Sequence, residues 1–245
     1  MMTGEIIEQW IKEVVEESPY KDSFREPIVG FVDAADKGFD DIVKSTGVWH
    51  YKPSELLPQA RTVVVFFLPY AEDIVRAMQK EKKIVPEYSA AYLRANETLS
   101  AVADTLQKRL MSAGIGVATQ PPTDDYDHEN LAAHWSHKSI AVMAGIGTWG
   151  LNHMLITKSG TAGRLNSIVI DEWIDPTPRQ KESFCLYYKR GICKKCVERC
   201  PSGALTCEGL NKKMCSAYLD GKCLDLDEQG CPRCMSGPCA IRGFC

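Results

Sequence analysis

Apolar residues at Ile6, Ile7, Trp10, Ile11, Val14 and Val15 recur with helical spacing. They predict an amphipathic first helix with one face on a core, capped by Thr3 with Glu5 close behind. Residues 27–32 and 61–70 read as strands. The second, T-V-V-V-F-F-L-P, is apolar on both faces, as expected of an interior strand in a covered sheet. Residues 39–45 predict a short helix. Residues 71–82 and 87–111 predict longer ones, the latter burying Leu99, Val102, Leu106 and Leu110. A short strand over 114–117, a turn-rich loop over 121–127, a helix over 130–144 and strands over 154–157 and 167–171 follow. Strands mixed with helices in this way predict an α/β or α+β fold with helices packed on a sheet.

The pattern changes after Asp175. D-P-T-P-R-Q is a linker-like run of turn formers, and apolar periodicity is weak beyond it. All 11 cysteines lie between Cys185 and Cys245. The expected division is therefore an α/β cofactor-binding domain over residues 1–180 and a cysteine-rich domain over residues 181–245. The second must be held by ligands or by docking, because it has little core of its own. The 44% apolar content makes disorder an unlikely class for the rest, and a net charge of −3 gives no field to draw in a nucleic acid. The longest apolar run, Val63 to Leu68, is far short of the ~20 residues that span a bilayer. The N-terminus is acidic and amphipathic, unlike a signal peptide. The expectation is a cytoplasmic protein with no membrane and no nucleic-acid partner.

Cys193-Lys-Lys-Cys196-Val-Glu-Arg-Cys200-Pro201 is C-x2-C-x3-C-P, the last three ligands and the proline of the bacterial ferredoxin run. Cys215, Cys231, Cys234 and Cys239 complete a two-cluster pattern. By the crossing of ligands in two-cluster ferredoxins, cluster A takes Cys193, Cys196 and Cys239, and cluster B takes Cys200, Cys215, Cys231 and Cys234. The run's first cysteine would fall at position 190, where this chain has Arg190. Cys185, reaching back over a bulged L-Y-Y-K-R loop, is the expected fourth ligand of cluster A, with Cys245 or Cys207 in reserve. Without one of them cluster A would be a three-iron species or have an open iron. Structural zinc on the two C-x2-C pairs is the competing reading, but 11 cysteines exceed what it needs. Two [4Fe-4S] clusters would pass single electrons, so the first domain should hold a redox partner.

Ala144-Gly-Ile-Gly-Thr-Trp-Gly-Leu-Asn152 contains G-x-G-x-x-G, with Asp171 and Glu172 about twenty residues on. A dinucleotide motif must follow a strand and open a helix. Here a helix leads in and a strand leads out, and Gly145 sits where a helix C-terminal glycine belongs. With its flanks, S-H-K-S-I-A-V-M-A-G-I-G-T-W-G-L-N-H-M-L-I (Ser136 to Ile156) resembles the H-K-x-x-A-x-x-A-G-L-G-x-x-G-x-N-x-L-L-I segment of epoxyqueuosine reductases, with corrinoid-dependent reductive dehalogenases as more distant relatives. Residues 61–70 and C-S-A-Y-L at Cys215 resemble further parts of the same family, over roughly residues 55–240.

The resemblance implies a nitroreductase-like domain that holds base-off cobalamin and a ferredoxin-like domain whose clusters reduce its cobalt. Carried over, Ser136, His137, Gly145, Gly147, Trp149, Gly150 and Asn152 would lie along the corrin, with the glycines allowing close approach. The family's Asp-Tyr-His run is replaced here by residues 87–96, its helical-repeat region has no counterpart before Cys245, and the dehalogenases' twin-arginine signal is absent. The departures argue against queuosine-tRNA as the substrate and leave the substrate open. His137 and Tyr126 are candidate proton donors, and Asp127 is a candidate cap for the following helix. Lys194, Lys195 and Arg199 are a candidate docking patch for a reduced ferredoxin or flavodoxin. Two other readings remain: a reductive activator of a corrinoid-protein partner, and an iron-sulfur reductase that uses flavin in place of corrinoid.

Overall fold

The apolar run over Thr62–Pro69 forms strand β2, every residue of which is buried. Its alternation decides the architecture. Val64, Phe66 and Leu68 face one core, and Val63, Val65 and Phe67 face another, because successive side chains on a strand point to opposite faces. The computed structural model describes residues 2–81, 85–121, 126–222 and 230–244. The sheet is antiparallel throughout, in the order β1-β2-β8-β3. Its outer members are β1 (Ile28–Asp33) and β3 (Val117–Thr119), and β8 (Gly163–Ile170) lies beside β2.

Helices cover both faces. On one side lie α1 (Gly4–Glu17), α4 (Glu72–Lys80) and α5 (Pro86–Ser112). On the other lie α2 (Gly38–Thr46) and α6 (His137–Met143), with the single turn α3 (Pro53–Leu56) nearby. Thr3 caps α1 by accepting from the Ile6 N–H at 3.3 Å. Pro86 opens α5 at a position where a missing N–H costs nothing. The fold is a mixed helix and sheet arrangement, as the pattern predicts.

Several local expectations are corrected. The helix expected from residue 130 begins only at His137, where the Ser136 hydroxyl accepts from the Ser139 N–H at 3.3 Å. Before it runs a small hairpin of β4 (Tyr126–Asp127) and β5 (Ala132–Ala133). Asp127 therefore closes a turn, accepting from the Asn130 N–H at 2.7 Å, and caps no helix. The third strand starts later than expected, at Val117. Gly147–Trp149, inside the glycine stretch, is strand β6 and pairs with β7 (Leu155–Thr157). The run at 175–180 is strapped down, since Thr177 exchanges hydrogen bonds with Phe31 and Arg179 pairs with Asp36 at 2.7 Å.

Beyond residue 181 the chain forms α7 (Leu186–Arg190), α8 (Lys195–Glu198) and α9 (Lys212–Lys222). The L-Y-Y-K-R segment is thus a helical turn and not a bulged loop. This region rests on the sheet domain. Backbone N–H groups of Thr161 and Ala162 donate to the carbonyls of Cys239 and Ala240. The half-buried Arg25 guanidinium donates to three carbonyls, those of Tyr70, Ser159 and Ile241, at 2.7–2.8 Å. Replacing Arg25 with Met removes all three charged donors, and loss of about 2–3 kcal/mol is expected. Denaturant unfolding should show this, with earlier proteolytic release of the segment after residue 181.

Candidate functional site

Four sulfurs from three stretches of chain meet where that segment touches the sheet domain. Cys185 stands just before α7, Cys193 and Cys196 flank the start of α8, and Cys239 lies in the 3-10 turn Pro238–Ala240. All four line one narrow cleft, closed by Leu151, Ile156, Pro238 and Phe244. Burial pushes the Cys196 thiol up to about 11, and Cys185 and Cys193 beside it push the same way. Burial and the other three cysteines push Cys239 to about 12. The Leu151 N–H points at the Cys185 sulfur from 3.5 Å.

A second group adjoins the first. Cys234 is pushed up to about 12 by burial and then by Cys231, Cys215 and Cys196, with Lys138 acting against them. Cys215 is raised by burial and by Cys200. For Cys200 burial also acts upward, but the Ser202 hydroxyl and the backbone N–H groups of Leu205, Ser202 and Ala204 outweigh it and lower the thiol. Cys207 is half-buried and belongs to neither group; Cys245 and Cys223 lie outside the described residues. Among the described residues no three His, Cys, Asp or Glu side chains are gathered tightly enough for a single metal ion. The possible donors lining the first cleft are cysteine sulfurs alone. Thiols this resistant to ionisation would have to release their protons on binding an iron-sulfur core.

Lys138 leads from Cys234 into a separate cleft of about 240 Å³ between α6, β7 and the start of β8. Phe67, Trp135, Leu155 and Leu165 form its apolar walls, and Ser136, His137, Lys138, Thr161 and Arg164 supply polar groups. It has room for a small molecule or for one edge of a large cofactor; it does not enclose a whole macrocycle.

No known family model matches the chain. A curated relative, the epoxyqueuosine reductase of Bacillus subtilis (strain 168), is 27% identical over 172 residues, which is 68% of this chain and 41% of the relative. An epoxyqueuosine reductase solved with an epoxyqueuosine-modified tRNA-Tyr stem loop superposes with a TM-score of 0.60, at 21% identity, over 98% of this chain and 68% of that one. The chain is similar to the epoxyqueuosine reductases in sequence and in fold. A reductive dehalogenase of B12-dependent mechanism shares the fold at a TM-score of 0.61 and 15% identity, over 85% of this chain and 28% of that one. The aligned region thus spans under half of the curated epoxyqueuosine reductase.

The family's glycine segment is packed against the chain itself. Gly145 ends α6 with φ of 66°, and a Cβ there would run into the Pro178 carbonyl. A Cβ at Gly147 would meet the Ile156 carbonyl, and one at Gly150 the Asn152 side chain. The spacing therefore lets α6, the β6–β7 hairpin and the strap at 175–180 close on one another, a reason that the sequence reading did not supply. Asn152 is buried and donates to the Cys234 carbonyl at 3.0 Å, joining the hairpin to the second cysteine group. Trp149 is partly exposed on β6. Arg199 is turned inward, towards the Gln79 carbonyl and Ser236, so it is no part of an outward basic patch. Lys195 is paired with Glu198. Among the described residues no helix is long and apolar enough to cross a membrane.

Of the two candidate proton donors, the Tyr126 side chain lies outside the described residues. His137 is buried, with Nδ1 at 2.8 Å from the Ser167 hydroxyl and Nε2 at 3.3 Å from the Pro121 carbonyl. Because the Trp135 indole N–H donates to the same hydroxyl, Ser167 has its own proton free for Nδ1. The tautomer assigned by this network carries its proton on Nε2. Arg164 and Lys138 went unassigned in the sequence reading; their signal was a cation placed inside an otherwise apolar helix face or strand.

Burial lowers the His137 pKa from 6.5 to about 4. The unfolded chain takes up the proton through 6.5 and the folded one only near 4. The stability due to a neutral His137 is therefore full above about pH 6.5 and is lost as pH falls to about 4. Between pH 7 and pH 4 the wild type should lose about 3 kcal/mol more than His137→Gln, measured by denaturant unfolding at each pH.

Proposed function

We propose that this chain is an iron-sulfur reductase. In this reading Cys185, Cys193, Cys196 and Cys239 hold one [4Fe-4S] cluster, and Cys200, Cys215, Cys231 and Cys234 hold a second. The second delivers single electrons to a corrinoid at the cleft beside α6. The observation that carries the reading is the contiguity of the three places: the β6–β7 hairpin meets the Cys185 sulfur through Leu151 and the Cys234 carbonyl through Asn152, and its Leu155 lines the cleft. The likeness to epoxyqueuosine reductases and to a B12-dependent dehalogenase supports it.

A bound corrinoid would supply a cobalt centre that accepts electrons singly and presents them to a substrate. The chain's own residues do the rest. Asn152 fixes the Cys234 carbonyl to the β6–β7 hairpin, so the second cysteine group cannot drift from the cleft. Phe67, Trp135 and Leu165 keep water from the cleft wall. His137 and His50 hold the wall's shape, the latter accepting from the Ser136 N–H at 2.8 Å and stacking on Trp135. The substrate and the electron donor, a reduced ferredoxin or flavodoxin in this reading, enter as partners.

Anaerobic reconstitution should yield about eight iron and eight sulfide per chain, and cobalamin should remain with the protein on gel filtration. Cys185→Ala should lower iron at the first site only, leaving the second cluster's electron paramagnetic resonance signal in place. Stoichiometric zinc without sulfide would overturn the redox reading. Free cobalamin with retained flavin would replace the corrinoid by a flavin.

A further inference from the structure

The cleft beside α6 has cations in its wall and, among its lining residues, no carboxylate to balance them. Lys138 is only partly exposed, and its ammonium finds just the Met154 sulfur, at 3.9 Å, a weak acceptor. Arg164 is held stiff, with Nε donating to the Asn96 side chain at 3.1 Å and its guanidinium 3.9 Å above the Tyr92 ring. Neither side chain forms an ion pair among the described residues. Among the described residues the remaining guanidinium donors of Arg164 have no acceptor and can serve a ligand.

Several cations share the field around Lys138. Burial lowers the Lys138 pKa first; Lys212 and Arg164 lower it further, and Cys234 alone opposes them. His153 is lowered by burial, then by Lys138 and Lys212. Like charges held together in a half-dry cleft repel one another unless an anion sits between them. A third group makes the same demand independently: Thr161 lines the cleft and is buried, and its hydroxyl has no hydrogen-bond partner among the described residues. A buried hydroxyl left unsatisfied is costly, and such groups occur where a ligand or ion completes them.

We propose that this cleft binds a small molecule through a carboxylate or phosphate group held between Lys138 and Arg164, with the Thr161 hydroxyl as a further donor. The apolar walls at Phe67, Trp135, Leu155 and Leu165 take the organic part. The inference rests on the proposed reductase only in taking this cleft as the place of reaction, and it names the substrate class: a small organic anion. The same chemistry could come from the phosphate in a cobalamin's nucleotide tail.

The test uses the full chain, anaerobically reconstituted, titrated calorimetrically with inorganic phosphate and with phenyl phosphate. Phenyl phosphate should bind more tightly, since it also fills the apolar wall. Lys138→Gln and Arg164→Gln should each weaken binding by about tenfold or more, whereas Lys138→Arg, which keeps the charge, should retain it. Thr161→Val should weaken binding while raising thermal stability, which a merely structural hydroxyl would not do. Competition by cobalamin but not by cobinamide, which lacks the phosphate tail, assigns the anion to the cofactor. Competition by neither assigns it to the substrate. Absence of phenyl phosphate binding, or equal binding by wild type and a folded Lys138→Gln, overturns the proposal. Because no turnover is measured, that failure leaves the cluster and corrinoid analyses standing as separate results.

Discussion

Arginine guanidiniums directed at main-chain carbonyls join the cysteine-rich segment to the sheet domain. Arg25 reaches from the first domain to Ile241, Arg233 reaches back to Met78 and Glu81, and Arg199 reaches to Gln79. The segment has little apolar core of its own; it buries Met235, Ala240 and Phe184 against the sheet domain, and these directional bonds add orientation. A carbonyl accepts from a guanidinium without adding an opposite buried charge. The guanidinium's several donors also fix orientation as well as distance. Both groups of cysteines inherit their positions from these contacts.

The consequence is a molecule in which the cysteine groups and a charged cleft share a wall. The β6–β7 hairpin is the shared part. Its backbone meets the Cys185 sulfur through Leu151, its turn meets Cys234 through Asn152, and Leu155 on its second strand lines the cleft. Short through-protein contact between the groups follows from that hairpin, which the glycines allow to pack without side chains in the way.

Much of this was legible in the sequence where one physical signal dominated. The period-3.6 stripe of α1 and the two-sided apolar run of β2 dictate their elements almost alone, and of the cysteines that the spacing singles out, Cys185, Cys193, Cys196 and Cys239 line one cleft. Other parts were illegible for identifiable reasons. Residues 130–136 have helix-compatible composition but form a hairpin, because His50 and Trp135 hold that stretch against the sheet and Ser136 sets a later helix start. β6 is hidden by two glycines that look like loop formers but are required by close backbone approach. Arg164 and Lys138 gave no periodic signal, since their meaning depends on residues brought near them only by the fold.

The Arg25 contacts have a further implication, for how the chain comes into being. One of the three acceptors, the Ile241 carbonyl, lies 216 positions further along the chain. During synthesis the guanidinium is therefore made well before this acceptor. The sheet can be complete, with β8 paired beside β2, before Cys231, Cys234 and Cys239 have left the ribosome. The thiols of Cys231, Cys234 and Cys239 therefore meet a platform that can already be folded.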